Sequence, residues 1–319
     1  MNKKTWWKLD HHVWHELKKH SLEKKSVIAA LSGGADSLAL AHSLFKVLGP
    51  DQVTFAFFHH GGKSIYRRQA LEFCKNFAQE KNVLFASEIW TGLELKSEAQ
   101  CRQQRYAFLL DLQQKSEKSG EGCVVATGHQ QNDVIETRLL RLIRGTGPQG
   151  LQALKIYRKP FFRPLLNISR LEIEMYLNKE RLTPMLDPSN QNSNFLRNWL
   201  RTEWLPQLEA KRPGSYGSLG RSLEAVVEAL PSENSDPELN LPKDFISRAE
   251  FLAQTEAEQT RWLARALLTT GRKNFTQFHL QEIRRRLIQS PKSGSFKVAG
   301  CDWQINAQQI RVQLSLTTT

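Results

Sequence analysis

The sequence predicts an α/β protein: a doubly wound parallel sheet followed by a smaller, mixed α+β domain. Three observations lead there. Short apolar runs alternate with helical patterns between residues 27 and 143, a glycine turn joins the first run to its helix, and a Ser-, Asn- and Pro-rich stretch precedes a tail of helices and short strands. The 319 residues suffice for two cores, and 40% apolar with 24% charged residues is the balance of a globular chain.

The elements follow in order. A first helix is expected over 6–24. Strands over 27–31, 52–58, 83–89 and 122–127 alternate with helices over 37–48, 64–80, 97–115 and 131–143. The first strand, Val27-Ile28-Ala29-Ala30-Leu31, is apolar throughout, as a strand covered on both faces should be. A loop over 145–150, a helix near 169–180, a polar loop over 186–194 and a helix over 195–209 come next. Pro213, Gly214, Gly217 and Gly220 read as the start of a hinge, and 231–242 has linker composition. The expected domains are therefore 1–212, a linker over 213–245, and a tail domain over 246–319. That tail should hold helices near 247–270 and 276–290, then strands near 295–299, 303–306 and 310–315. In parallel sheets the ligand lies beyond the carboxyl ends of the strands. Residues 32–37, His59-His60-Gly61 and residues 127–136 all fall there.

Composition narrows the function. No apolar stretch is long enough to span a bilayer, and the first ten residues lack the apolar core of a secretory signal. Cys74, Cys101, Cys123 and Cys301 are scattered, which argues against zinc, an iron–sulfur cluster or a disulfide framework and for a reducing cytoplasm. The formal net charge of +13 points to a polyanionic partner. Nucleic acid is favoured over an anionic membrane, because no lipidation signal or basic amphipathic anchor is present. Arg138, Arg141 and Arg144 recur on one helical face, and Arg284, Arg285 and Arg286 form a run.

The turn Ser32-Gly33-Gly34-Ala35-Asp36-Ser37 is the strongest local signal. Its glycines let backbone approach an anion, Asp36 is expected to cap a helix starting at Ser37, and the first amides of that helix point back into the turn. An ordinary strand-to-helix connection also favours these residues. Two other glycine patterns lack the required context. Gly62-Lys63-Ser64 imitates a Walker A end with Phe57 where its first glycine belongs, and Gly145-x-Gly147-x-x-Gly150 follows a helix and is interrupted by Pro148. His11 and His15 lie four apart on the first helix without a third ligand, so surface placement is the expectation.

Several segments together resemble one family. SGGADS is similar to the SGGxDS loop of the N-type ATP pyrophosphatases, the PP-loop proteins. EAQCRQQRY at 98–106 resembles the EAxxRxxRY segment of the tRNA(Ile)-lysidine synthetases. RLIRGTGPQGL at 141–151 resembles that family's RGSGxxGL loop, 163–166 its RPLL, and 187–201 its DxSN…RNxxR pattern. The resemblance covers about 27–208 in register. It fades over the final hundred residues, and a further domain of longer members has no counterpart.

The resemblance implies a two-step ligation. ATP adenylates the 2-oxo group of the wobble cytidine in a tRNA(Ile) with anticodon CAU, and the ε-amine of free L-lysine then displaces AMP. It further implies that Ser32, Gly33, Gly34, Ala35, Asp36 and Ser37 bind ATP, that Asp36 and Asp133 hold Mg²⁺, and that Arg105 balances charge near the α-phosphate. His129 matches a family histidine, while Asp133 and Glu136 stand three apart at a helix start. Arg144, Arg197, Arg201, Arg284 and Arg285 are the expected tRNA contacts. The oligomeric state stays open, a homodimer included.

Two segments depart from the family pattern. Where the family shows HHxDDQxET, this chain has Asn132 in place of the first acid, with Asp133, Glu136 and Thr137 kept. That removes one negative charge and one ligand to metal or lysine ammonium. The HHGG segment at 59–62 replaces the usual HG[L]R, with Lys63 near the arginine's place. A catalytically silent RNA-binding paralogue is therefore a second reading. A tRNA sulfur transferase is disfavoured by the lack of paired cysteines, and a GMP or NAD synthetase by the RGTGPQGL and RNWLR segments.

Overall fold

The computed structural model describes residues 5–62, 65–92, 98–117, 122–145, 151–152, 154–186, 196–229, 245–270, 275–289 and 293–314. The chain divides into two compact units. One comprises Met1–Arg138 with Gln152–Leu223, the other Leu139–Leu151 with Glu224–Thr319.

In the first unit, strands β1 (Ser26–Ala30), β2 (Val53–His59), β3 (Leu84–Ile89), β4 (Cys123–Ala126), β5 (Tyr157–Arg158) and β6 (Phe161–Phe162) form one sheet in the order β3-β2-β1-β4-β6-β5. Pairings β1–β2, β1–β4, β2–β3 and β4–β6 are parallel. The expected doubly wound sheet is present, with one correction: β5 runs antiparallel to β6, and this two-residue hairpin had no apolar period from which to be read.

Alternate residues of the strands face opposite layers, as a pleated strand requires. Val27 and Ala29 join Val53, Phe55 and Phe57 on a face covered by α1 (Lys8–Lys19), α2 (Ala35–Leu48), α3 (Ile65–Glu80) and α6 (Arg170–Lys179). Ile28, Ala56, Phe58 and Val125 face Phe108 and Leu109 of α4 (Glu98–Glu117) on the other side. Helix α5 (Gln131–Ile143) follows β4.

A buried polar network ties α1, α2 and α6. The Tyr176 hydroxyl donates to Asp10 Oδ1 at 2.8 Å, so its oxygen accepts the Nδ1 proton of His42 at 2.9 Å. Lys46 bridges Asp10 Oδ2 at 2.8 Å and Glu180 Oε1 at 2.6 Å. Burial holds the His42 imidazole down at about 4.

Several local expectations shift. The first helix is shorter than 6–24. Asp36 does not cap α2: Gly34 is the N-cap and Asp36 lies in the first turn. The helix expected over 195–209 is α7 (Leu196–Trp199), a π-helical turn (Leu200–Trp204) and α8 (Leu205–Lys211). Gly217 and Gly220, read as the start of a hinge, lie inside α9 (Ser215–Glu228) instead. Glu209 secures the start of α9 by accepting the amides of Gly214 and Tyr216 at 2.6 and 2.9 Å.

The second unit carries an antiparallel sheet, β7 (Phe245–Ser247), β8 (Gly294–Val298), β9 (Cys301–Ile305) and β10 (Gln309–Leu314), in the order β7-β10-β9-β8. Helices α10 (Arg248–Ala253), α11 (Glu256–Thr269) and α12 (Gln277–Gln289) pack on it through Phe251, Leu263, Leu267, Ile283 and Trp303. The single helix expected over 247–270 breaks because Thr255 and Glu258 form a capping box that starts α11 afresh.

Candidate active site

The turn between β1 and α2 is built by its own side chains. Ser37 Oγ accepts the Ser32 amide at 3.1 Å, meets Ser32 Oγ at 3.0 Å and donates to the Gly34 carbonyl at 2.9 Å. Gly33 takes φ +85°, a conformation that favours glycine, and its carbonyl accepts the Met185 amide at 2.9 Å. The first intrahelical bond of α2 runs from Leu38 N–H to Gly34 O. The amides of Ala35, Asp36 and Ser37 therefore precede the hydrogen-bond ladder and open onto the turn, where an anion is favoured.

The loop after β4 closes on this turn. A Cβ at Gly128 would stand 3.0 Å from Asp36 C and O and from Ser37 N, so glycine lets the two segments meet without either giving way. His129 Nδ1 lies 2.9 Å from Thr127 Oγ1. Burial drives the His129 imidazole down to about 3, with Asp133 opposing and Arg102, Arg163 and Arg105 reinforcing the shift. The ring is neutral at physiological pH.

Asp36 is the most perturbed acid here. Its Oδ1 is buried and, among the described residues, has no hydrogen-bond partner. Burial and the neighbouring Asp133 push its carboxyl up to about 6, with Arg170 and Arg201 pulling the other way. An uncompensated buried carboxylate oxygen beside open amides fits a divalent cation held with phosphate. Among the described residues no cluster of three or more His, Cys, Asp or Glu side chains is poised as a metal cage. A Mg²⁺ ion bound through one or two carboxylates plus substrate oxygens needs no such cage.

Asp133 in the first turn of α5 and Glu136 one turn further on reach the same place, and both are buried. Asp133 Oδ2 accepts the Gln130 amide at 3.0 Å, stapling the helix start. Its Oδ1 accepts Arg201 Nη2 at 2.9 Å and Arg197 Nη2 at 3.4 Å. Glu136 accepts Arg201 Nε at 2.7 Å and Nη2 at 2.8 Å, and Arg197 Nε at 3.0 Å. Burial opposes the charge of Arg201, but its hydrogen bonds to Glu136 and the field of the acids outweigh this and raise its pKa. The structure thus places Arg197 and Arg201, expected at the RNA, on the two acids. In sequence the acids stand as Asp-x-x-Glu and the arginines as Arg-x-x-x-Arg some sixty positions on, with no local signal that pairs them. Asn132 stands on the same helix turn, its amide donating to Gln130 Oε1 at 2.8 Å.

The other expected residues scatter. Arg105 lies on α4, its guanidinium 5.9 Å from the Tyr106 ring centroid. Of the three arginines expected on one face, Arg138 is buried, Arg141 is half-buried and Arg144 is exposed. Arg284 pairs with Glu256 at 3.2 Å and Gln259 at 2.8 Å, and Arg285 with Glu282 at 2.9 Å. The side chain of Glu98, with Lys63, Gly147, Pro148, Gly150 and residues 187–190, lies outside the described residues. Gly128, packed on the Asp36 backbone, and Arg163, buried with an unpartnered Nε, are positions that sequence reasoning left without a role.

A glycine turn at the carboxyl end of the first strand, amides open above it and the Asp36 carboxylate beside them define a PP-loop protein, and the PP-loop domain profile matches residues 9–208. A solved U34-tRNA thiolase from Methanococcus maripaludis shares the fold, with a TM-score of 0.52 at 20% identity over 70% of this chain and 78% of that one. Within that class the chain belongs to the tRNA(Ile)-lysidine synthase family. It is 44% identical over 315 residues to the tRNA(Ile)-lysidine synthase of Bdellovibrio bacteriovorus, 96% of this chain and 97% of that one. The enzyme of that name from Pseudomonas syringae pv. tomato is 36% identical over 208 residues, where the match spans 62% of this chain and about half of the relative, 45%.

Proposed function

We propose that the protein is an ATP-dependent ligase that converts the wobble cytidine of a tRNA(Ile) with anticodon CAU to lysidine, acting in the cytoplasm. In the first step the cytidine O2 attacks the α-phosphorus of ATP; a P–O bond forms and pyrophosphate leaves. In the second the ε-amine of lysine attacks C2; a C–N bond forms, the C–O bond breaks, AMP departs and the amine gives up its protons to solvent.

The observation that carries this reading is the buried, unpartnered Oδ1 of Asp36 beside the open amides of α2. Ala35, Asp36 and Ser37 amides bind phosphate oxygens, and the glycines at 33 and 34 keep side chains out of the way. Asp36, with Asp133 beside it, is the ligand set for Mg²⁺, which would supply charge neutralisation for the leaving pyrophosphate. Neutral His129 presents a polar, uncharged edge next to the turn, and Arg105 contributes positive charge. Asp133 and Glu136 bring two negative charges against two arginines. Their charges cancel, and the carboxylate lone pairs the arginines leave free can accept a lysine ammonium.

The test is mass spectrometry of the wobble base after incubation with the tRNA transcript, ATP, Mg²⁺ and labelled lysine. Label at that base, with one AMP and one pyrophosphate per lysidine, is expected. Binding of the tRNA without pyrophosphate release would establish the silent paralogue instead.

A further inference from the structure

We infer that Arg102, backed by Arg163, binds a phosphodiester of the RNA next to the nucleotide being modified. This rests on the lysidine synthase reading and adds a second anion point to it. Tyr106 organises the cluster. Arg102 stacks on its ring, Cζ 5.0 Å from the centroid, and donates Nη2 to its hydroxyl at 3.2 Å. Phe161 supports the ring with centroids 4.9 Å apart, and Arg163 lies 5.3 Å from the Phe161 centroid.

Arg163 is only 8% exposed, its Nε has no acceptor, and its Nη1 meets the Lys155 carbonyl at 3.3 Å. Burial works against its charge, the Tyr106 hydroxyl offsets this in part, and Arg102 and Arg158 add to the cost. Among the described residues neither Arg102 nor Arg163 meets a carboxylate. Buried Arg163 and half-buried Arg102 set like charges side by side, an arrangement that an anion joining them relieves. Half-buried Arg102 presents its fork to that anion, and Arg163 supplies field from beneath.

Position selects the source of the phosphate. The cluster gathers where β6 ends, since Phe161 and Arg163 belong to that strand end, whereas the PP-loop follows β1. With β4 between them, the ends of β1 and β6 stand two strand spacings, about 10 Å, apart. That offset suits a second substrate lying beside the nucleotide and not the triphosphate itself.

Arg102→Gln and Arg102→Lys in the full chain test the inference, with thermal unfolding as the check on folding. Arg102→Gln should raise the KM for the tRNA transcript about tenfold and flatten the slope of log affinity against log salt by about one. The KM for ATP should stay within about twofold, well short of that tenfold effect. Arg102→Lys should recover the salt slope but not the full affinity, since a point charge replaces the fork. Arg163→Gln, where it unfolds at the wild-type temperature, should shift the tRNA KM in the same direction. An unchanged slope and tRNA KM in Arg102→Gln would overturn the inference. So would a raised KM for ATP in their place, which puts a nucleotide phosphate at the cluster. If the wild type makes no lysidine yet the slope still flattens, the RNA contact stands and the ligase reading falls.

Discussion

Arg201 grips Glu136 with both arms of its guanidinium, Nε on Oε1 at 2.7 Å and Nη2 on Oε2 at 2.8 Å, while the same Nη2 also reaches Asp133. The geometry is the fork-to-fork contact that lysine cannot reproduce. Arg201→Met should therefore cost about 1–3 kcal/mol of stability in denaturant titration, less than for a fully buried pair because its side chain is 38% exposed. Arg201→Lys should recover only part of that. The affinity for tRNA should change by less than about twofold, a few tenths of a kcal/mol. A large loss of tRNA affinity at unchanged stability would return Arg201 to the RNA-contact role its sequence suggested.

Asp36→Asn should abolish adenylation and at the same time stabilise the cation-free protein at neutral pH. The carboxyl titrates near 6 in the folded chain against 3.8 in the unfolded one, so folding is favoured by its protonation. Between those values the native state binds more protons, and stability falls as pH rises. Above pH 6 the ionised, buried group costs on the order of 1–3 kcal/mol. Melting curves across pH should show the variant ahead at pH 7.5 and level with the wild type below pH 4. Excess Mg²⁺ with ATP should narrow the gap by binding the wild type only. A variant no more stable at pH 7.5 would mean that Asp36 is already compensated.

Gly128→Ala should damage the ATP site through packing alone. The new methyl would meet backbone atoms of Asp36 and Ser37 at 3.0 Å, and backbone cannot rotate away as a side chain would. We expect a loss of about 1–3 kcal/mol and a rise in the KM for ATP larger than that for tRNA. Equal rises would show the loop, and not the α2 terminus, to be what moved.

His42 should shape the acid limb of stability. Its folded pKa of about 4 lies below the ordinary 6.5, so its contribution is complete above 6.5 and is lost as pH falls toward 4. Protonation would place a charged imidazolium among Phe45, Phe77 and Tyr176, where burial disfavours it. His42→Gln should be less stable than wild type at pH 7.5 and show a flatter decline between pH 6.5 and 4. Parallel declines would assign the acid limb to other groups.

The parallel sheet and the anion turn were legible because Val27-Ile28-Ala29-Ala30-Leu31 and SGGADS are local patterns with local causes. The β5–β6 hairpin was not, since two-residue strands carry no period. Arg197 and Arg201 were assigned by motif to an external partner. Pairing them with Asp133 and Glu136 required knowing that residues some sixty positions away in sequence meet in space. Gly128 was equally silent: nothing next to it in the sequence reveals that a helix terminus occupies the space its side chain would need. The break at Thr255 was written plainly as Thr-x-x-Glu, and the apolar periodicity on either side concealed it.

The network beneath the PP-loop helix has a practical side. Asp10, near the start of the chain, is the acceptor that Tyr176 and Lys46 both rely on. Trimming the chain back to the first residue of β1 would remove the acceptor of the Tyr176 phenol and one of the two carboxylates that hold Lys46. Shortened versions of the chain should therefore retain Asp10 and the rest of α1.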